Sequence, residues 1–134
     1  MQDRPSTDEL LGAIEAFLDS EVVPNLAGSR GFHSRVAANA IRIVRRELAL
    51  SEEQMAAEWE GLNEVLGRRA KPATQKALAK ATRARNTELC ERIRAGDGEP
   101  ALESDQVFEH VRRTVAAKLR VSDPGLLERD GRAQ

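Results

Sequence analysis

The chain has 134 residues, of which 40% are hydrophobic and only 3% aromatic, and its formal net charge is −1. This near-neutral charge gives no general attraction to nucleic acid or to an anionic membrane surface, so we expect neither as a partner. The length predicts one domain, and a core with so few aromatic side chains must be built from Leu, Ile, Val and Ala.

Five amphipathic helices with short connections are predicted, so the expected fold is an all-α, single-domain bundle. Residues 6–9, Ser-Thr-Asp-Glu, have the form of a capping box and open the first helix. Apolar residues at steps of three and four predict that it covers about 7–23, with Pro24 ending it. These apolar residues are Leu10, Leu11, Ile14, Phe17, Leu18 and Val22. Residues 1–5 are expected to form a flexible leader.

The second predicted helix, about 32–50, is the candidate for the centre of the bundle. Residues 32–50 contain no Gly or Pro, and their apolar residues recur at helical spacing. We expect the other four helices to cover this broad apolar face. It comprises Phe32, Val36, Ala37, Ala40, Ile41, Ile43, Val44 and Leu48.

A polar stripe follows the same helix at steps of four, three and four residues. It consists of Arg35, Asn39, Arg42 and Arg46. Arg binds carboxylate and phosphate groups through paired hydrogen bonds, so the stripe can form a site for an anion or a partner protein. It can equally be a solvated face that keeps the helix soluble. His33, at the start of this helix, is a further candidate contact.

The third helix is predicted over about 52–66, with Ser51 as its cap, a core stripe of Met55, Trp59, Leu62 and Leu66, and Gly67 just beyond its end. The fourth is predicted over about 74–95. Its inward stripe reads Leu78, Thr82, Asn86, Leu89 and Ile93, which places two polar residues among apolar ones. Either this helix is only half buried, or Thr82 and Asn86 line a polar pocket. Asn86 is therefore also a candidate binding residue.

The fifth helix is predicted to begin at Ser104 or Asp105 and to bury an apolar stripe. That stripe is Val107, Phe108, Val111, Val115 and Leu119. Residues 125–134 are expected to be a flexible tail. Residues 51–67 carry five acidic and no basic side chains, whereas residues 68–95 carry nine basic and two acidic ones. The two segments can neutralise each other, or the basic one can dock on an acidic partner.

No catalytic, metal or nucleotide motif stands out. One cysteine, Cys90, permits no internal disulfide, which fits a reducing compartment, and neither a signal region nor a membrane span is evident, so a cytoplasmic location is predicted. Two histidines and one cysteine, far apart in sequence, do not suggest a zinc site, so we expect no metal and no cofactor. His110 is expected to be exposed and Cys90 to be a buried, inert thiol.

Several motifs resemble a bacterial family of small helical proteins of unknown function. They are Arg4-Pro5, Glu9-Leu10-Leu11, Phe32-His33-x-Arg35-Val36-Ala37-Ala38-Asn39, Arg45-Arg46-Glu47-Leu48, Glu91-Arg92-Ile93-Arg94-Ala95-Gly96 and Thr114-Val115-x-x-Lys118-Leu119. The resemblance covers about residues 4–124. It implies an accessory protein, because genes of that family often neighbour those of aminoglycoside-phosphotransferase-like kinases and acyl-CoA dehydrogenases.

Two hypotheses for the function follow. The first is a non-enzymatic accessory or interaction protein that docks on such a kinase or dehydrogenase through the polar stripe, with a homodimer as a further expectation. The second is a binder of an acyl-CoA or other anionic ligand, held by His33, Arg35, Asn39 and Asn86 in a mostly apolar pocket. An enzyme that uses His33 or Cys90 is the least favoured alternative.

Overall fold

The computed structural model describes residues 3–95 and 104–131, and every regular element in those ranges is helical. The five α-helices are α1 (Thr7–Phe17), α2 (Gly28–Leu66), α3 (Gln75–Ala95), α4 (Ser104–Ser122) and α5 (Pro124–Gly131). The prediction of an all-α fold is therefore confirmed. Contacts divide the chain into two compact units, Met1–Ala49 and Leu50–Gln134. That residues 1–134 form a single domain stays a prediction.

Helix α1 begins with the predicted capping box. The hydroxyl of Ser6 accepts a hydrogen bond from the Glu9 amide at 3.2 Å, and the Glu9 carboxylate accepts one from the Ser6 amide at 2.6 Å. A π-helical turn, Leu18–Val22, continues the helix toward Pro24, which has no N–H to extend it. The first helix therefore occupies the predicted residues, with its last turn wound more widely.

Helix α2 corrects the prediction of two separate helices over 32–50 and 52–66, because the chain is continuously helical from Gly28 to Leu66. Ser51 lies within this helix and caps nothing. A serine caps only where the preceding turn has ended, and no Gly or Pro near Ser51 ends it. The true end is Gly67, whose φ of +86° fits the predicted role of a residue just past the helix.

The first unit leaves most of its apolar residues exposed. No residue of α1 is buried, and in α2 Ala38 is fully buried. Seven large side chains are between 46% and 57% exposed: Leu10, Ile14, Phe17, Phe32, Val36, Val44 and Leu48. The expectation that other helices of the chain cover the apolar face of α2 is therefore wrong for a single copy of the chain. Periodicity shows which face is apolar, but not whether another segment reaches it.

The second unit contains the better-formed core. Trp59 and Leu62 of α2 are buried as predicted, together with Leu78 and Leu89 of α3 and Val121 of α4. Helix α5 covers part of the tail that the sequence analysis expected to be flexible. The mobility of that tail stays a prediction.

Helix α4 packs through a different side from the one predicted. Phe108, Val111 and Val115 are exposed, whereas His110 and Val121 are buried. His110 lies three residues after Val107 and eleven before Val121, so these positions share one side of the helix. The side that packs is therefore defined by a histidine and small or branched residues, and not by the largest apolar side chains.

Candidate functional site

Two arginines of α2 hold it against α1: Arg42, which belongs to the predicted polar stripe, and Arg45, which does not. Arg42 donates to Glu15 at 2.9 Å and also pairs with Asp19, while Arg45 binds Glu15 at 2.7 Å and both oxygens of Asp8 at 2.7 and 3.1 Å. We call these five residues the charged seam. The hydrogen bond that Arg42 donates to Asp19, with further attraction to Glu15, raises the pKa of Arg42, and the bond that Asp8 accepts from Arg45 lowers the pKa of Asp8. The seam is a packing contact inside the first unit.

The four residues of the polar stripe consequently have different environments. Arg42 belongs to the charged seam, and the half-buried Arg46 donates to the Arg42 carbonyl at 3.1 Å. Arg35 and Asn39 are exposed. His33 is exposed as well, with its ring 5.5 Å from that of Phe32 in an edge-on arrangement. The binding role of these residues stays a prediction, and only the exposed ones can meet a ligand without rearrangement.

Asn86 lies in the second unit. Its amide donates to the Glu58 carboxylate at 2.7 Å, and Lys118 lies 3.6 Å from the same carboxylate oxygen. Glu64 is similarly paired with Arg113 of α4 at 2.8 Å. The acidic residues of the second half of α2 are therefore partly neutralised by α4. The sequence analysis had considered the basic residues of 68–95 as the ones that neutralise these acids.

The interior of the second unit holds a buried guanidinium that the sequence analysis missed. Arg85 is 1% exposed, and its side chain donates to the carbonyls of Leu62 at 3.0 Å and Gly67 at 2.7 Å, as well as to the Asn63 side chain. These carbonyls lie at the C-terminal end of α2, where the helix dipole places partial negative charge. Arg85 is thus a cap supplied from another helix. Burial, with repulsion from Arg69, lowers its pKa.

The one sequence signal for Arg85 is its spacing. It follows Leu78 and Thr82 at steps of four and three, and therefore shares their buried side of α3. An arginine in that register is ordinarily assigned to the edge of the buried side, because a charge is costly to bury. Its guanidinium also lies over the Trp59 ring, 5.2 Å from the centroid.

Three polar atoms beside this cap have no hydrogen-bond partner among the described residues: Trp59 Nε1, Thr82 Oγ1 and Arg85 Nε. Each can donate a hydrogen bond, and none belongs to an acidic group. The polar pocket expected at Thr82 and Asn86 stays a prediction, and Thr82 contributes one of these donors. Such a set would suit an acceptor oxygen.

His110 is buried, which corrects the prediction of an exposed histidine. Its ring packs directly on Gly61 of α2. A Cβ at Gly61 would overlap His110 Nδ1 and lie 2.9 Å from Cε1, so only glycine allows this approach. Burial lowers the pKa of His110, against a smaller opposing attraction from Glu58. Cys90, expected to be buried, is exposed.

The exposed side of α4 forms an apolar stripe made of Phe108, Val111 and Val115, which are 69%, 43% and 49% exposed. Glu109 and Arg112 border it and bind each other through two hydrogen bonds of 2.8 and 2.9 Å. We call these three apolar residues the α4 stripe. Phe108 is the most exposed of the large apolar residues that the structure describes.

The family model described as "Domain of unknown function (DUF6285)" matches residues 24–126. The chain belongs to this family. The predicted resemblance to a family of unknown function is thereby confirmed for these residues, and the bacterial origin and the gene neighbours stay predictions. No curated protein and no solved structure matches the chain.

The DUF6285 region contains α2, α3 and α4, and so includes the Arg85 cap, the contact between Gly61 and His110, and the α4 stripe. Helix α1 lies before the matched residues. None of the helices in residues 3–95 and 104–131 combines the length and apolar character needed to cross a membrane. In the same residues, no group of three His, Cys, Asp or Glu side chains is placed to hold a metal ion.

Proposed function

We propose that this DUF6285 protein is a cytoplasmic, non-enzymatic accessory protein that docks on a partner enzyme through the α4 stripe. The observation that carries the proposal is the exposure of Phe108, Val111 and Val115 on a helix whose opposite side is packed. Contiguous apolar surface on a soluble chain marks contact sites for other proteins. A large aromatic residue such as Phe108 is suited to anchor such a contact.

The proposed partner is a phosphotransferase-like kinase or an acyl-CoA dehydrogenase. This choice rests on the resemblance to bacterial proteins whose genes neighbour those enzymes. Glu109 and Arg112 would supply the polar rim of the contact. Arg35 and Asn39, the exposed members of the polar stripe, are proposed as secondary contacts.

The test is binding of each purified enzyme to the immobilised chain at micromolar concentration. The Phe108→Asp variant should bind at least tenfold more weakly, because it places a charge in the apolar contact. Arg120→Ala, also exposed on α4, is the matched control and should bind like the wild type. Absence of binding by the wild type, or equal binding by Phe108→Asp, would refute docking through the α4 stripe.

A second candidate function, binding of an acyl or other anionic small ligand, is supported by the unpartnered donors on Trp59, Thr82 and Arg85. A carbonyl or carboxylate oxygen of the ligand would accept hydrogen bonds that these groups otherwise lack. Coenzyme A esters should then raise the melting temperature in a dose-dependent manner. The near-isosteric Thr82→Val variant should reduce that rise. A flat response of the wild type would rule out this candidate.

A further inference from the structure

One face of α2 is organised as a row of apolar residues spaced four apart. The row is Phe32, Val36, Ala40, Val44 and Leu48, and we call it the α2 ridge. The four large side chains are 46–57% exposed, and Ala40 is exposed as well. Residues at steps of four line up along one ridge of a helix surface. The helix meets α1 elsewhere, through the charged seam.

The α2 ridge reads almost the same in both directions from Ala40. Val36 and Val44 lie four residues to either side, and Phe32 and Leu48 lie eight residues to either side. A surface that pairs with its own copy across a two-fold axis must be self-complementary, and a ridge that is symmetric about its centre meets this requirement. We propose that a second copy of this chain packs antiparallel on the α2 ridge, with the two-fold axis passing beside Ala40.

This arrangement agrees with the ordinary rules of helix packing. Ridges formed by residues four apart interdigitate when two helices cross at about −50°. The smallest side chain of the ridge, Ala40, would lie at the crossing point and allow the two backbones to approach closely. Val36 would meet Val44 of the second copy, and Phe32 would lie level with its Leu48 at the rim.

The charges beside the ridge favour the antiparallel orientation. His33 and Glu47 lie seven residues to either side of Ala40. In the antiparallel pair, His33 of one copy is level with Glu47 of the other, and the symmetry repeats the match. In a parallel pair, each residue would instead face its own counterpart, so the two Glu47 carboxylates would repel each other.

The exposed apolar area matches a modest dimer. With about 150–250 Å² for a large side chain, the exposed halves of the four large residues provide on the order of 400 Å² per copy. Because roughly 60% of an interface is apolar, the total area buried on the two copies would be about 1,300 Å², near the lower end of specific interfaces. The dimer should therefore form reversibly at micromolar concentration. It is independent of the proposed docking through the α4 stripe.

Cysteine cross-linking tests the proposal, because a residue at the two-fold axis meets its own copy. In a Cys90→Ser background, Ala40→Cys should form an interchain disulfide rapidly under mild oxidation. Ala37→Cys is the matched control, since Ala37 is exposed on the same helix but displaced from the axis beyond the roughly 7 Å Cα separation that a disulfide spans. It should cross-link at least tenfold more slowly.

Adding Val44→Glu to Ala40→Cys should abolish the cross-link, whereas adding Phe108→Asp should leave it unchanged. The second result separates this proposal from the docking proposal, since it tests the α4 stripe in the same assay. Equal rates for Ala40→Cys and Ala37→Cys, or a rate unaffected by Val44→Glu, would overturn the antiparallel pairing.

Discussion

At the scale of single residues, the guanidinium of Arg85 is buried inside the second unit and donates hydrogen bonds to carbonyl oxygens. Two of its three hydrogen-bond partners are main-chain groups at the end of α2. The Asn63 side chain receives the third bond and itself accepts from the Arg69 amide at 3.1 Å. One side chain therefore satisfies several groups that a helix end leaves without partners.

Replacing Arg85 with methionine should lower the free energy of unfolding by about 2–4 kcal/mol, because buried acceptors lose their donors while the apolar volume is kept. Arg83→Ala is the control, since Arg83 is exposed on the same helix, and its effect should be within about 0.5 kcal/mol. Urea denaturation of the two variants measures the difference. Equal stabilities would show that the cap contributes nothing.

Because His110 is buried, the free energy of unfolding should depend on pH. Burial lowers its pKa in the folded chain, so the unfolded chain binds a proton at higher pH than the folded one. The free energy of unfolding should therefore fall as the pH drops from 7.5 through about 6.5, by at most about 1.4 kcal/mol per pH unit. His110→Leu should reduce this slope, whereas His33→Gln, which alters an exposed histidine, should retain it.

The measurement is denaturation at several pH values between about 5.5 and 7.5, above the range in which carboxylates titrate. An unchanged slope in His110→Leu would contradict the assignment. The result concerns stability alone and does not depend on either proposed function.

At the scale of helices, local motifs and periodicity in the sequence correctly predicted three features. The capping box at Ser6 and the glycine at position 67 act through local backbone geometry, which neighbouring residues determine. The Trp59 and Leu62 positions are buried because a large apolar residue in a helical stripe usually finds a partner helix. These features were accessible without tertiary information.

Other features required knowledge of which helices meet. The polar stripe was interpreted as one surface, but Arg42 binds Glu15 of α1 and Asp19 of the following π-helical turn, which precede it by 27 and 23 residues. The α4 stripe was expected in the core because it is apolar, but the smaller side of α4 packs, around His110 and Gly61. Neither of these contacts between distant residues can be predicted from the local sequence pattern.

The continuity of α2 across Ser51 can be tested with proline. If Ser51 capped a separate helix, Glu52 would be its first residue, where proline is well tolerated. In a continuous helix, Glu52→Pro removes a main-chain hydrogen bond and should cost about 3 kcal/mol or more. Glu52→Ala is the control and should be nearly neutral because Glu52 is exposed. A small effect of the proline would support two helices.

At the scale of the whole molecule, exposed apolar surface occurs in both units, and the two surfaces differ in character. The α2 ridge is symmetric about Ala40, which suits a second copy of the chain. The α4 stripe is dominated by Phe108 at one end and bordered by charged residues, which suits a different protein. We therefore expect an accessory protein that forms a dimer and presents two copies of the α4 stripe to its partner.

The central claim at this scale is that the α2 ridge is a contact surface for a second copy of the chain, and the molar mass of the purified chain tests it most directly. Light scattering from about 1 to about 100 μM should show the mass rising from 14.8 kDa toward twice that value. The Val44→Glu variant should remain at 14.8 kDa throughout. A wild-type mass of 14.8 kDa at every concentration would contradict the account.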